Sequence, residues 1–283
     1  LAALRGTAVT DQRKQGDLMD PFLKWAGGKR WLMSRPEFRL TPIEGRYIEP
    51  FLGGGASFFH LQPSSSILSD LNAELIELYG VVRDHPEELR ELMWGHQRLH
   101  SEPHYYSVRA IVPADPLNRA ARFLYLNRTC FNGLYRVNLR GEFNVPKGTK
   151  SLVISEDETF IAASNCLKRA ELRCGDFESA VDEAVEGDFL FIDPPYTVKH
   201  NVNGFVKYNE QMFRWEDQTR LRDSVVRARR RGARILMTNA DHASLRSLYE
   251  GVLTYSSISR NSVLASASAN RGPTTEAILS FEP

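Results

Sequence analysis

Short apolar runs alternate along this chain with longer stretches in which apolar residues recur every three or four positions. Arg46-Tyr47-Ile48-Glu49-Pro50-Phe51 reads as a short strand feeding the turn Gly53-Gly54-Gly55, and a helix is expected over residues 56–61. Residues 66–70 read as a second strand, ending on the carboxylate of Asp70. Over 72–83, Leu75, Ile76, Leu78, Tyr79 and Val82 follow a helical period, and 87–100 and 119–126 are further helix candidates. Residues 132–146 differ in character: short β-like runs flank Arg140-Gly141-Glu142, where Gly141 carries a hairpin turn. From Ala170 the strand–helix alternation resumes, with strands near Leu172, over 189–192, over 235–238 and over 277–281. This alternation predicts an α/β fold with a doubly wound core. Residues 21–85 and 165–283 form that core, and 86–164 are an inserted, mainly helical domain carrying a β-hairpin at about 131–148.

Composition narrows the class without naming a chemistry. With 283 residues, 42% of them hydrophobic and 25% charged, the chain can bury a sizeable core. No apolar run approaches the roughly 18 residues that span a bilayer, so no membrane partner is expected. Residues 1–20 are polar, lack the apolar segment of a signal peptide, and are expected to form a disordered leader. Cys130, Cys166 and Cys174 are odd in number and contain no CxxC pair. That usage points to buried thiols in a reducing, cytoplasmic compartment, with no metal site and no disulfide framework.

The net charge of +1 hides an uneven distribution. From Arg119 to Lys150 there are seven basic residues (Arg119, Arg122, Arg128, Arg136, Arg140, Lys147, Lys150) against one acid, Glu142. Interleaved with Phe, Tyr and Asn, the block is either a solvated basic face or an electrostatic footprint for a polyanion. A second run, Arg227, Arg229, Arg230 and Arg231 late on a predicted helix, reads as a solvated face.

Three short stretches carry candidate chemistry. In Glu49-Pro50-Phe51-Leu52-Gly53-Gly54-Gly55 a strand enters a glycine turn that opens a helix, the way α/β folds receive an adenosine-bearing ligand. The pattern is not G-x-G-x-x-G, so a dinucleotide is not favoured, and a purely structural turn stays open. Asp70, ending the next strand, is placed to accept bonds from ribose hydroxyls or to cap the following helix. Lys24-Trp25-Ala26-Gly27-Gly28-Lys29-Arg30 is no phosphate loop, because Leu23 stands where that motif needs Gly and Arg30 where it needs Ser or Thr. Lys29 is a candidate partner for a ligand carboxylate. The tetrapeptide Asp193-Pro194-Pro195-Tyr196 follows an apolar strand directly. Its prolines have no N–H, so Asp193 and the Pro194 carbonyl are left as acceptors, and Tyr196 adds a flat face. Two acceptors and a stacking surface suit an exocyclic amine on a planar base.

Four segments in order complete a pattern: "FLKWAGGK" (22–29), "EPFLGGG" (49–55), "LYLNRTCFNGLYRVNLRGEFNVPKG" (124–148) and "FIDPPY" (191–196). Together they resemble the Dam-type DNA adenine-N6 methyltransferases, over residues 21–281. The resemblance implies an S-adenosylmethionine-dependent methyltransferase core, and double-stranded DNA as partner. It implies that Trp25 and Lys29 border the methionine end of the cofactor, beside the turn of Glu49, Phe51, Gly53 and Gly55. Asp70 would take the ribose hydroxyls, and Asp176 and Phe177, in "CGDFES", the cofactor's adenine. A target adenine flipped from the duplex would stack on Tyr196, its amine held by Asp193 and the Pro194 carbonyl and aimed at the donor. Lys24, Leu134, Arg136 and Pro146 would read a GATC-like palindrome, Phe131 would insert into the duplex, and Asn132 would contact the base left behind. Many members carry Tyr where Phe131 stands, and Phe keeps the stacking surface but lacks the hydroxyl. Arg128, Arg140, Lys147 and Lys150 would bind phosphates, with Arg260, Asn261 and Arg271 as further candidates. Residues 197–204 are expected to form a mobile loop over the active site.

The expected activity is therefore methyl transfer to adenine N6 by a monomeric enzyme. Rival readings are a methyltransferase for another amine (cytosine N4, RNA adenine or a protein glutamine) and a DNA-binding relative without catalysis. Asp193 argues against the cytosine and glutamine enzymes, which usually begin this tetrapeptide with Ser and Asn. Intact Gly53, Asp70, Asp193 and Tyr196 argue against lost catalysis.

Overall fold

Phe189-Leu190-Phe191-Ile192 is buried at every position, the pattern of a strand covered on both faces. The structure, a computed structural model, describes residues 19–33, 35, 42–138, 140–197, 213–261 and 273–283. The expectations for residues 1–18, for 198–204 and for Arg271, and for the side chains of Arg260 and Asn261, lie outside the described residues. Seven strands and ten α-helices are defined among them, a mixed α/β fold as expected. The described residues divide into two compact units, one of 42–51, 176–197, 213–261 and 273–283, the other of 19–33, 35, 52–138 and 140–175.

In the first unit, strands β1 (Tyr47–Glu49), β4 (Phe189–Ile192) and β5 (Arg234–Ala240) run parallel. The last strand, β7 (Pro273–Phe281), lies antiparallel between β5 and β6 (Thr254–Asn261). Pairing of Tyr47 with Phe189, and of Ile192 with Met237, sets the parallel register. A buried carboxylate anchors it. Asp188 Oδ1 accepts the Arg46 backbone N–H at 2.7 Å, and Oδ2 accepts the Arg46 guanidinium at 2.7 Å and the Val185 N–H at 3.1 Å. Burial opposes the charged form of Asp188, but these bonds outweigh it and hold the carboxyl below the usual range.

Helices α8 (Phe177–Asp182) and α9 (Trp215–Arg230) pack in the same unit, and they overturn the reading of the second arginine run. Arg227 pairs with Asp182 at 2.8 Å and Glu178 at 2.7 Å. Arg229 donates to the Gly251 and Val252 carbonyls and lies over the Phe281 ring, and Arg231 donates to the carbonyls of Ala184 and Val181. Of the four, Arg230 alone is exposed. Helix α10 (Ala243–Leu248) leads toward β6.

The second unit holds parallel strands β2 (Ser66–Asp70) and β3 (Ala170–Cys174) and most of the helices. These are α1 (Arg30–Met33), α2 (Ala56–Leu61), α3 (Ala73–Asp84), α4 (Pro86–Leu99), α5 (Glu102–Ala110), α6 (Pro116–Thr129) and α7 (Phe160–Leu167). Asn72, Ser101 and Asp115 cap α3, α5 and α6 through their side chains, and Pro stands in the first turn of α4, α5 and α6. Arg122 is buried inside α6 and donates to the Val108 and Arg109 carbonyls at the end of α5. Arg119 pairs with Glu77 of α3 at 2.7 Å.

Three histidines meet a tyrosine between α4, α5 and α6. His96 stacks on Tyr125 with ring centres 4.6 Å apart, and its Nδ1 lies 3.0 Å from His104 Nε2. His100 Nδ1 lies 2.9 Å from the Tyr125 hydroxyl. Burial, and then His104 beside it, push His96 down to about 4. A folded value below the unfolded one means the neutral ring stabilises the fold fully above pH 6.5, with that contribution lost progressively as pH falls toward 4. Urea unfolding of the protein and of His96→Gln between pH 7 and pH 4 checks this. The unsubstituted protein is expected to lose on the order of 2 kcal/mol more than the variant across that window.

Candidate functional site

Several candidate residues sit where a strand ends or a turn requires an unusual backbone. In the second unit, the glycine turn after β1 opens α2. Gly53 has φ 47° and Gly55 φ 64°, the left-handed region that disfavours a side chain. A Cβ on Gly53 would lie 2.7 Å from Trp25 Cδ1, so the indole lies directly against the turn. Trp25 itself is stacked with Phe123 and with Tyr135, ring centres 6.4 and 5.6 Å away. The Gly53 N–H donates to Asp70 Oδ2 at 2.9 Å, and the Asn72 N–H to Oδ1 at 3.0 Å. Tyr79 O–H donates to the Gly53 carbonyl at 3.0 Å. Burial raises the Asp70 pKa, and the N–H bonds from Asn72, Gly53 and Leu71 pull it back.

A carboxylate oxygen has two lone-pair sites. Three backbone N–H groups orient the two Asp70 oxygens, which leaves one of their four lone-pair sites for a hydroxyl, so the carboxylate fits the ribose of an adenosine-bearing cofactor. Lys29 is buried, with Nζ donating to the Gly27 carbonyl at 2.6 Å.

The hairpin of the second unit is built from two isolated antiparallel bridges, Cys130 with Lys147 and Val137 with Phe143. The Asn138 side chain organises its tip, with Oδ1 accepting the N–H groups of Arg140 and Glu142. Tyr105 O–H and the Arg109 guanidinium both donate to the Val145 carbonyl and hold the outgoing arm. At the start of the hairpin Asn132 has φ 58° and Gly133 φ 65°, and Phe131 projects with 53% of its surface exposed. A Cβ on Gly133 would lie 2.7 Å from Lys24 Cδ, so Lys24 lies against this turn. Lost hydration, and then the neighbouring Lys150 ammonium, push Lys24 down to about 8. Arg136 is exposed and donates to Asn144 Oδ1 at 2.8 Å, Pro146 is exposed, and Leu134 is half-buried.

Arg128 does not belong to that surface. Its guanidinium donates to the Phe22 and Val153 carbonyls, pairs with Glu158 at 2.6 Å and lies over the Phe160 ring. With its side chain 14% exposed, it ties the segment before α1 to α6 and α7, and a phosphate contact is not assigned to it. Three of the seven basic residues in the charged block, Arg119, Arg122 and Arg128, are thus held by internal partners. Cys130 is buried, and burial pushes its thiol up to about 11.

In the first unit, Asp193 follows β4 directly. Its Oδ1 accepts the Thr238 hydroxyl at 2.6 Å, and Tyr196 O–H donates to Glu276 Oε2 at 2.9 Å. Burial, then the Asp193 and Glu276 carboxylates, push the Tyr196 phenol well above its usual range. Neither Thr238 nor Glu276 was expected at the site from sequence. The only available signal was one acid, Glu276, inside the apolar final strand. Pro194 is buried, and Asp193, Pro195 and Tyr196 are half-buried. Phe51 stacks on Phe177 with centres 5.3 Å apart, and Phe213 meets both edge-on. Asp176 caps α8 through Glu178 N–H and pairs with Arg220 at 2.7 Å, so it carries structural duty as well. Glu49 is buried and accepts the Tyr47 hydroxyl at 2.7 Å.

The close approach of Trp25 to Gly53 generates a direct check. Gly53→Ala combines a strained φ with a Cβ inside the indole's contact distance, and about 1–3 kcal/mol of lost stability is expected. Thermal unfolding reads the loss, and the Trp25 emission, isolated by comparison with Trp25→Phe, is expected to shift.

No helix among the described residues is long and apolar enough to cross a membrane. No group of three or more His, Cys, Asp or Glu among them is arranged to hold a metal ion.

Comparison with known proteins places the chain in a family. The sequence model of the D12 class N6 adenine-specific DNA methyltransferases matches residues 25–264. The chain is 37% identical over 268 residues to the type II methyltransferase M1.LlaDCHI of Lactococcus lactis subsp. cremoris, covering 92% of this chain and 94% of that protein. It is 39% identical over 255 residues to the type II methyltransferase M.MjaIII of Methanocaldococcus jannaschii, covering 82% and 88%. To the DNA adenine methylase of Escherichia coli K12 it is 33% identical over 234 residues, covering 81% and 84%. The matched span includes the glycine turn, the hairpin and the strand-terminal tetrapeptide, and the chain therefore belongs to the D12 class of N6 adenine-specific DNA methyltransferases.

Proposed function

We propose that this protein transfers a methyl group from S-adenosylmethionine to N6 of an adenine flipped out of double-stranded DNA, at GATC, in the cytoplasm. The observation that carries the reading is the end of β4, where the Asp193 carboxylate, the Pro194 carbonyl and the Tyr196 ring follow one another on a rigid turn. When bound, S-adenosylmethionine would supply a sulfonium methyl to N6 and leave as the neutral thioether, and the proton lost from N6 would pass to solvent. Asp193 and the Pro194 carbonyl accept the two amine N–H groups, which leaves the amine lone pair as the only direction open to attack. Tyr196 stacks on the base and fixes its plane. Catalysis by these residues is positioning and electrostatic preorganisation.

In the second unit Asp70 takes the ribose hydroxyls, and Trp25, Lys29, Gly53 and Gly55 border the methionine end. In the first unit Glu49 and Phe51 flank the cofactor, and Asp176 and Phe177 hold its adenine. The domain of residues 86–164 reads the DNA. Its exposed Phe131 enters the duplex and Asn132 meets the base left behind. Lys24, Leu134, Arg136 and Pro146 read base edges, and Arg140, Lys147 and Lys150 take phosphates.

Labelled S-adenosylmethionine and duplexes with or without GATC test the reading. Transfer to adenine in GATC duplexes is expected, no transfer to any DNA overturns the activity, and equal transfer without GATC overturns the specificity alone. Asp193→Ala is expected to abolish transfer while DNA binding stays measurable by fluorescence anisotropy. Arg136→Ala is expected to lower discrimination at one base pair by roughly 1–3 kcal/mol. Uniform weakening across all sequences would make Arg136 a phosphate contact instead.

A further inference from the structure

We infer that Thr238 and Glu276 are positioning residues for the amine clamp, acting through Asp193 and Tyr196 without touching the base. The inference rests on the reading above, in which Asp193 and Tyr196 hold the target adenine. Thr238 stands on β5 and Glu276 on β7, 45 residues from Asp193 and 80 from Tyr196 respectively. Ladder register brings them onto one face of the sheet. Thr238 is paired with Ile278 and Ala240 with Glu276. Directly opposed residues share a face, as do residues two apart on one strand, so Thr238 and Glu276 are diagonal neighbours. Both are buried, Thr238 fully and Glu276 with 3% of its surface exposed.

Glu276 is bonded to Tyr196, and Thr238 to both Asp193 and Tyr196. The 2.6 Å bond from Thr238 Oγ1 to Asp193 Oδ1 has the length of a charge-assisted O–H···O⁻ bond. It resists rotation of the carboxylate about its terminal torsion, which is otherwise broad. The bond from Tyr196 O–H to Glu276 Oε2 anchors the far end of the aromatic ring, since swinging the side chain away would strip a buried carboxylate of a donor. The acceptor carboxylate and the far end of the stacking ring are therefore both held by side chains from β5 and β7. A small error in either plane is costly, because a misplacement of about 1 Å at a reacting centre lowers a rate by about a hundredfold. A purely structural role for a core threonine would be met by valine, which has the same shape. The hydroxyl matters only if its bonds to Asp193 and Tyr196 do.

The test uses the full chain with labelled S-adenosylmethionine and the duplex it methylates. Thr238→Val is expected to lower kcat by about 10- to 100-fold with KM for DNA and cofactor little changed, and Thr238→Ser to restore most of it. Glu276→Gln keeps an acceptor for Tyr196 and is expected to retain more activity than Glu276→Leu. Melting curves establish that each variant folds. If Glu276→Leu does not, Glu276→Gln and the Tyr196 Cζ resonance in [13C]tyrosine-labelled protein decide, the resonance being identified by its loss in Tyr196→Phe. That resonance is expected to move when Glu276 is replaced, whatever the activity. A Thr238→Val enzyme as fast as the unsubstituted one, a change in KM alone, a failure of Ser to rescue, or an unmoved Tyr196 resonance overturns the inference. An unsubstituted protein that methylates no DNA overturns the proposed function, and the inference with it; an active one with indifferent Thr238→Val removes only the positioning role.

Discussion

The bonds between Arg46 and Asp188 fix the register on which the first unit depends. A strand with one buried face is held in register by alternation, because a one-residue slip turns its apolar side chains to water. Strand β4 has no such alternation, since Phe189, Leu190, Phe191 and Ile192 are all buried. Hydrophobic burial alone therefore discriminates weakly between one register and the next. Asp188, immediately before the strand, supplies the missing discrimination. It accepts both backbone and guanidinium donors from Arg46, immediately before β1. A slip would leave that carboxylate buried without these donors, which costs several kcal/mol. With β4 fixed against β1 and β5, Ile192 falls opposite Met237, and Asp193 arrives beside Thr238.

The strand is thus bracketed by two aspartates with different duties. Asp188 meets a guanidinium that cancels its charge, and it serves as an anchor. Asp193 meets a hydroxyl, which orients a carboxylate without neutralising it. The residue type is the same and the separation is one short strand. What distinguishes the two is the partner each finds on another element, and no local pattern around either aspartate contains that information.

This is the general limit of what the sequence made legible. Strand β4 was read at its observed bounds, and β2 likewise, because apolar runs ending on Asp or on Pro mark their own borders. Helix α6 was foreseen but is longer at both ends, since Asp115 and Pro116 begin it three residues before the expected start. Strand β6 was missed: Thr254-Tyr255-Ser256-Ser257-Ile258-Ser259 is rich in serine, and its strand identity comes from pairing with β7. Charge counting failed in one consistent way. Arg119, Arg122 and Arg128, like Arg227, Arg229 and Arg231, looked like surface charge and are engaged by carboxylates or carbonyls distant in sequence. A guanidinium has five donors in a rigid fork, which lets it close helix ends and tie segments as readily as it meets solvent or phosphate. Thr238 and Glu276 were invisible for the same reason, since a lone hydroxyl and a lone acid inside strands acquire meaning only from register.

The hairpin of the second unit divides its side chains between those that hold its shape and those that do not. Two bridges are too few to define its shape, so side chains do so: Asn138 at the tip, Tyr105 and Arg109 at the outgoing arm. Because those residues take up the structural work, Phe131, Arg136 and Pro146 can stay exposed without loss to the fold. An exposed phenylalanine beside two left-handed residues is a poor solution to folding. It suits the insertion proposed for Phe131. Arg128 sits only three residues earlier and carries the same charge as Arg136, yet the fold has enclosed it. The contrast separates the two better than charge does: an exposed side chain that the fold could do without has the stronger claim on a ligand.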